Sequence, residues 1–143
     1  EELREYYNSR TVSELFALYT ICSTTADKGS EVVPTEKWYE CVFLKRKFQP
    51  HDTRPGMYLS PLDLESLKSI TQYVWESPNL MISTFGNCEA AVLQAHGHGK
   101  QFFNEFKDNV NHALVAQGIQ PVGLQWRSID AKFFGSGIDT EQM

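Results

Sequence analysis

Cys88 holds a position from which a thiol could act as a nucleophile. It follows an apolar run, Leu80-Met81-Ile82-Ser83-Thr84-Phe85, and the turn pair Gly86-Asn87, and it opens what reads as a helix. A helix N-terminus favours the thiolate, the form that attacks. Attack also needs a base, and His96 stands about two turns further along the same helix, with His112 farther still. A thiol-dependent hydrolase built on Cys88 is therefore an alternative, set beside the plainer reading of a small buried residue starting a helix.

His96-Gly97-His98-Gly99-Lys100 offers two imidazoles and a glycine-flanked cation. In a helix, residues two apart point to opposite sides, so His96 and His98 share a metal only if the segment is extended. No Cys or carboxylate stands near at zinc-finger spacing. A phosphate loop needs Lys followed by Ser or Thr, and Lys100 is followed by Gln101. The plainer reading is a helix interruption, or a place where something packs against a bare backbone.

Lys45-Arg46-Lys47, with Phe43, Phe48, His51 and Arg54, is the basic cluster of the sequence. Cations interleaved with aromatics suit single-stranded nucleic acid through phosphate contact and base stacking, so binding through segment 45–54 by Lys45, Arg46, Lys47 and Arg54 is a further alternative. They equally suit an acidic protein, or merely solvate a strand end. Asp52, Asp63, Glu65 and Glu76 form no convincing acid–base pair, since Asp63 and Glu65 lie two apart on a helix and face different ways.

The elements that must position these residues can be read in outline. Thr11-Val12-Ser13-Glu14 has capping-box spacing before Leu15, Phe16, Leu18, Tyr19 and Cys22. Trp38 to Leu44 is aromatic and β-branched, and reads as a strand in preference to a helix. Gln49–Gly56 holds two prolines and a glycine and reads as a loop, followed by a short strand at Met57-Tyr58-Leu59. Ser60-Pro61 reads as the start of a helix whose stripe is Leu64, Leu67, Ile70 and Val74. Leu80–Phe85 reads as a buried strand, and Asn87 as the cap of a helix over 88–117 that either tolerates Gly97 and Gly99 or breaks at 96–99. Val122, Leu124 and Trp126 alternate with Gly123, Gln125 and Arg127 as a half-buried strand does, before a loop at 133–137.

The expected fold is α+β, one domain over 1–143 with a small mixed sheet packed against three to four helices. At 143 residues, with 41% hydrophobic and 13% aromatic content, the chain can bury a core. Three well-separated cysteines fit reduced thiols and an intracellular compartment. No apolar run approaches the roughly 20 residues that span a bilayer, and Glu1-Glu2-Leu3-Arg4 does not read as a signal peptide. The missing initiator Met agrees with a domain excised from a longer protein.

With no coherent catalytic set and no cofactor motif, the first reading is a protein–protein interaction module or assembly subunit without catalytic activity of its own. Its contact residues are Trp38, Tyr39, Phe43, Arg46 and Arg54, because aromatics and Arg dominate interface energetics. A protein partner or a second copy would cover them. The net charge of −5 argues against a nucleic-acid partner.

Overall fold

A computed structural model describes residues 5–24, 35, 37, 40–74 and 76–135. Its contacts divide the chain into two units, Glu1–Leu44 and Lys45–Met143.

The first unit carries α1 (Ser9–Ala17). Its cap is Asn8 rather than the expected Thr11. The Asn8 side chain accepts from the amides of Arg10 and Thr11, and Thr11 Oγ1 accepts from the Asn8 amide in return. Thr11 thus closes the box from its far end, and the helix begins three residues early. Leu15, Phe16, Tyr19 and Ile21 are exposed within the described structure. Trp38 and Tyr39, read as strand and contact residues, lie outside the described residues. The described part of that segment, 40–44, forms no strand.

The second unit opens on an antiparallel hairpin. Strands β1 (Gln49–Pro50) and β2 (Tyr58–Leu59) pair Gln49 with Leu59 and Pro50 with Tyr58. The same register extends in both directions. His51 N donates to Met57 O at 3.0 Å, Lys47 N to Pro61 O at 3.2 Å, and Asp63 N to Lys45 O at 2.8 Å, while Arg46 bridges Leu62. Lys45–His51 therefore runs against Met57–Asp63 as one arm, closed by the 52–56 loop. Pro61, expected to open a helix, instead accepts from Lys47 here, a role that needs no amide of its own.

Asp63 caps the helix that follows, α2 (Leu64–Gln72), by accepting from Ser66 N. The next helix, α3 (Leu80–Ala95), starts at Asn79, whose side chain accepts from Ile82 N. This overturns the strand at Leu80–Phe85 and the cap at Asn87. The run is apolar but Leu80, Met81 and Ile82 are exposed, so no burial favours an extended form. The stripe that is buried, Cys88, Ala91, Val92 and Ala95, has helical spacing.

The chain then breaks as one of the two expected alternatives has it. A 3-10 turn, His96–His98, separates α3 from α4 (Lys100–Ala116), and Gly99 sits at φ 95°, where only glycine is at ease. After α4, Gly118 at φ 71° turns the chain. The expected strand at 122–126 is extended but has no ladder. Asn111 of α4 takes the partner's place, with its Oδ1 accepting from Val122 N at 2.7 Å and its Nδ2 donating to Val122 O at 3.1 Å. The last helix, α5 (Trp126–Phe134), replaces the loop expected at Phe133-Phe134.

Leu67, Val92 and Phe103 are the most deeply buried large side chains, joined by Leu114, Val122, Trp126 and Ile129 in one core built on α2, α3, α4 and α5. The chain is thus α+β, but among the described residues the named strands form one hairpin and the helices supply the core. Among the described residues no helix is long and apolar enough to cross a membrane.

Candidate functional site

The hairpin presents its basic residues in two different settings. Lys45 and Lys47 are exposed; Lys45 Nζ reaches Ser66 Oγ at 3.2 Å. Phe48, between Lys47 and the first paired residues of the arm, is 43% exposed, and Phe43 is 70% exposed. Arg46 turns the other way. Its Nη1 donates to Ser60 O at 3.0 Å and its Nη2 to Gln94 Oε1 at 2.6 Å, both neutral acceptors. Arg54, from the loop, is also engaged: Nε donates to Asp130 Oδ2 at 2.7 Å and Nη2 to Gly135 O at 2.9 Å. Of the four cations read as nucleic-acid contacts, Lys45 and Lys47 are therefore the two that face solvent, while Arg46 and Arg54 anchor the arm.

The arm lies against the turn between α3 and α4. A Cβ on Gly97 would stand 2.9 Å from Ser60 O and 3.0 Å from Pro61 Cα, so the hairpin backbone rests on a residue without a side chain. His98 Nε2 donates to Leu62 O at 2.6 Å. Asp52 accepts from the Lys100 amide at 2.9 Å, capping α4 from the hairpin side. The interrupted glycine pattern of the sequence is thus a docking seat for the hairpin.

Beside that seat lies a buried charge cluster. Asp130, on α5, is 2% exposed. Its Oδ1 accepts from His51 Nε2 at 2.6 Å and from His96 Nε2 at 3.1 Å, and its Oδ2 from Arg54. Thr53 N donates to His51 Nδ1 at 3.1 Å, which leaves the His51 proton on Nε2, pointing at the carboxylate. Trp126 stacks on His96, with centroids 5.1 Å apart and planes at 27°, and meets His51 edge-on. Burial raises the Asp130 pKa, but the hydrogen bonds from His51, Arg54 and His96 outweigh it and hold the carboxyl below its ordinary value. Burial pushes His96 below the usual imidazole range, with the Asp130 carboxylate partly opposing it.

Next to the cluster, a cleft of about 460 Å³ opens between the hairpin, the end of α3 and the end of α5; Arg46, Tyr58, Gln94, His96 and Phe133 are among its walls.

The remaining sequence candidates separate. Cys88 lies in the interior of α3, buried, and burial raises its thiol pKa, the opposite of what an activated thiolate requires. His96 turns to Asp130 and His98 to Leu62 O, so the two imidazoles serve different partners. Among the described residues no three His, Cys, Asp or Glu side chains are grouped to hold a metal ion. Asp130 itself escaped the sequence reading, because 126–134 was not read as a helix. Placed on one, Trp126, Ile129, Asp130 and Phe133 share a face, and a carboxylate on an apolar stripe signals a buried partner.

No protein-family model matches the chain. It is 25% identical over 140 residues, 95% of its length, to the genome polyprotein of Rice tungro spherical virus (strain Vt6). It is 26% identical over 137 residues to the genome polyprotein of Deformed wing virus. Against the replicase polyprotein of Acute bee paralysis virus (strain Rothamsted) it is 24% identical over 115 residues, 79% of the chain. The chain spans only 4% to 6% of the length of these relatives. Among solved structures, the Sicinivirus 3Dpol RNA dependent RNA polymerase shares its fold, with a TM-score of 0.68 and 17% identity over 89% of this chain and 26% of that one.

These likenesses overturn the first reading of the sequence. A self-standing, non-catalytic protein-binding module does not agree with relatives that are viral genome and replicase polyproteins. The argument against nucleic acid also fails, and its flaw is physical. Net charge sums the whole chain, whereas exposed charges act within a Debye length of about 8–10 Å. The whole-chain charge therefore does not decide the local field at Lys45 and Lys47, where Asp63 is the acid that interacts with Lys45.

Proposed function

We propose that the chain is part of the RNA-dependent RNA polymerase of a viral replicase polyprotein, and that its hairpin arm contacts RNA. The observation that carries this reading is the fold shared with a viral RNA-dependent RNA polymerase over most of the chain. The geometry of the arm supports it. Lys45 and Lys47 are both exposed; Lys45 sits in the turn that opens the hairpin, at φ 61°, and Lys47 in the paired stretch that follows. Phe48, next in sequence to Lys47, is a partly exposed aromatic of the kind on which bases stack. Arg46 and Arg54 hold the arm in place, which keeps the lysines presented without an ordering cost on binding.

The test is binding of this chain to a fluorescein-labelled single-stranded RNA, followed by anisotropy across a salt series. Wild type should bind at low salt and weaken steeply as salt rises. Lys45→Ala with Lys47→Ala should weaken binding and flatten the log–log salt slope by about 1.4, at roughly 0.7 for each single-strand phosphate that a lysine no longer neutralises. Absence of binding at low salt, or a slope unchanged in the double variant, would overturn the assignment of the arm.

A further inference from the structure

The Asp130 cluster joins three parts of the second unit that are far apart in sequence: His51 and Arg54 from the hairpin and its loop, His96 from the turn between α3 and α4, and Asp130 from α5. The Asp130 carboxylate pairs with the Arg54 guanidinium, and both imidazoles point Nε2 at that carboxylate. The His51 tautomer is fixed by the Thr53 amide, which donates to Nδ1; a second proton there would set two donors against each other. His96 is enclosed on one side by Trp126 and on another by Phe133. A proton added to His96 therefore places a charge where little water reaches it, with side-chain exposures of 3% for Asp130 and 5% for His96.

We infer that this cluster is a proton-sensitive latch, which holds α5 against the hairpin at neutral pH and releases it as the pH falls. Release moves a wall of the cleft, because Phe133 stands on α5 and Arg46 and Tyr58 on the hairpin. The latch acts on the mouth beside the arm and does not depend on whether that arm binds RNA.

The sign follows from the groups that face the cluster. Asp130 and Asp52 are the acids, Arg54 is the permanent cation, His51 is the neighbouring ring, and His96 is the ring whose proton decides the sign. His96 is held below its unfolded value by burial, so the unfolded chain binds more protons as the pH falls below about 6.5. Stability from this ring is present above that value and is lost as the pH falls through the folded pKa. The Asp130 carboxyl is also depressed, and its contribution persists until the pH falls below 3.8. The window in which the latch opens thus begins near pH 6.5 and belongs to His96.

Amide hydrogen exchange on the full chain reads the latch directly, with rates corrected for intrinsic pH dependence. Between pH of about 7.5 and about 5.5 the amides of Trp126–Phe134 should become less protected, by up to about tenfold, the most that one ring with an open-state pKa of about 6.5 can contribute at the lower pH. The interiors of α3 and α4 should change less. His96→Gln keeps an amide donor for Asp130 but cannot titrate, and should flatten the α5 response. His98→Gln, whose ring bonds Leu62 O instead, should leave it intact. Asp130→Asn reports the same latch at neutral pH by lowering α5 protection there. The inference fails if α5 and the α3–α4 core open together, or if His96→Gln keeps the full acid response.

Discussion

Replacing Gly97 with Ala tests whether the hairpin rests on the α3–α4 turn as closely as the structure has it. Two opposed effects can be sized. Alanine is the better residue in a helical turn by about 1 kcal/mol. Against this, the new Cβ would meet Ser60 O at 2.9 Å, Pro61 Cα at 3.0 Å and Pro61 N at 3.1 Å. All three atoms are backbone, so no rotamer change relieves the clash and the hairpin must move. Overpacking of this kind costs about 1–3 kcal/mol, more when backbone shifts are forced. The hairpin is also held by Arg46 to Gln94, His51 to Asp130 and His98 to Leu62, so it cannot shift without loosening these bonds. The net expectation is a destabilisation of up to about 2 kcal/mol, toward that upper end because those bonds resist a shift, which for a chain of this size lowers the melting temperature by roughly 5 °C. Gly86→Ala is the matched control. It lies inside α3 with nothing within 4 Å of its Cβ position, and should stabilise by up to about 1 kcal/mol. Both variants can be melted side by side by circular dichroism. A Gly97→Ala protein that melts at or above wild type would refute the close seat.

Asn111→Ala removes the side chain that stands in for a strand opposite Val122. With two hydrogen bonds gone and a buried amide left unpaired, it should cost about 2 kcal/mol in urea unfolding. Asn79→Ala should cost about 1 kcal/mol by the same measurement, because Asn79 caps α3; no effect would mean that the helix starts elsewhere. A maleimide or disulfide reagent near neutral pH should modify the exposed Cys22 much faster than the buried Cys88, and faster labelling of Cys88 would reinstate an activated thiol.

Helical phase was the legible part of the fold. Leu67 and Ile70 of α2 pack on the core at the expected spacing, whereas Leu64 is exposed and Val74 lies beyond the helix; the break at 96–99 was visible as a pair of glycines. Helix starts were less legible, since Asn8, Asp63 and Asn79 compete with equally plausible caps at Thr11, Ser60 and Asn87, and only tertiary context separates them. Two segments misled for a definite reason. Leu80–Phe85 is apolar all round, which carries no period, and Val122–Trp126 is extended but bonded to a side chain instead of a strand. The hairpin hid behind its prolines, which look like loop residues until Pro61 is seen to serve as an acceptor alone. The basic cluster was found, but the division of labour within it was not. That Arg46 and Arg54 face inward depends on Gln94 and Asp130, distant residues that no local pattern announces.

The turn at His96–His98 also sets a rule of length. Each of its three residues meets a different part of the unit: His96 the carboxylate of Asp130, Gly97 the backbone of Ser60 and Pro61, and His98 the carbonyl of Leu62. One residue added to or removed from a helical segment rotates everything beyond it by about 100°. An insertion or deletion between Ala95 and Lys100 would therefore misdirect all three residues together, and would swing α4 away from the Asp52 carboxylate that caps it. The number of residues in this stretch is therefore as tightly set as the identities of Gly97 and Gly99, and changing it would unseat the arm.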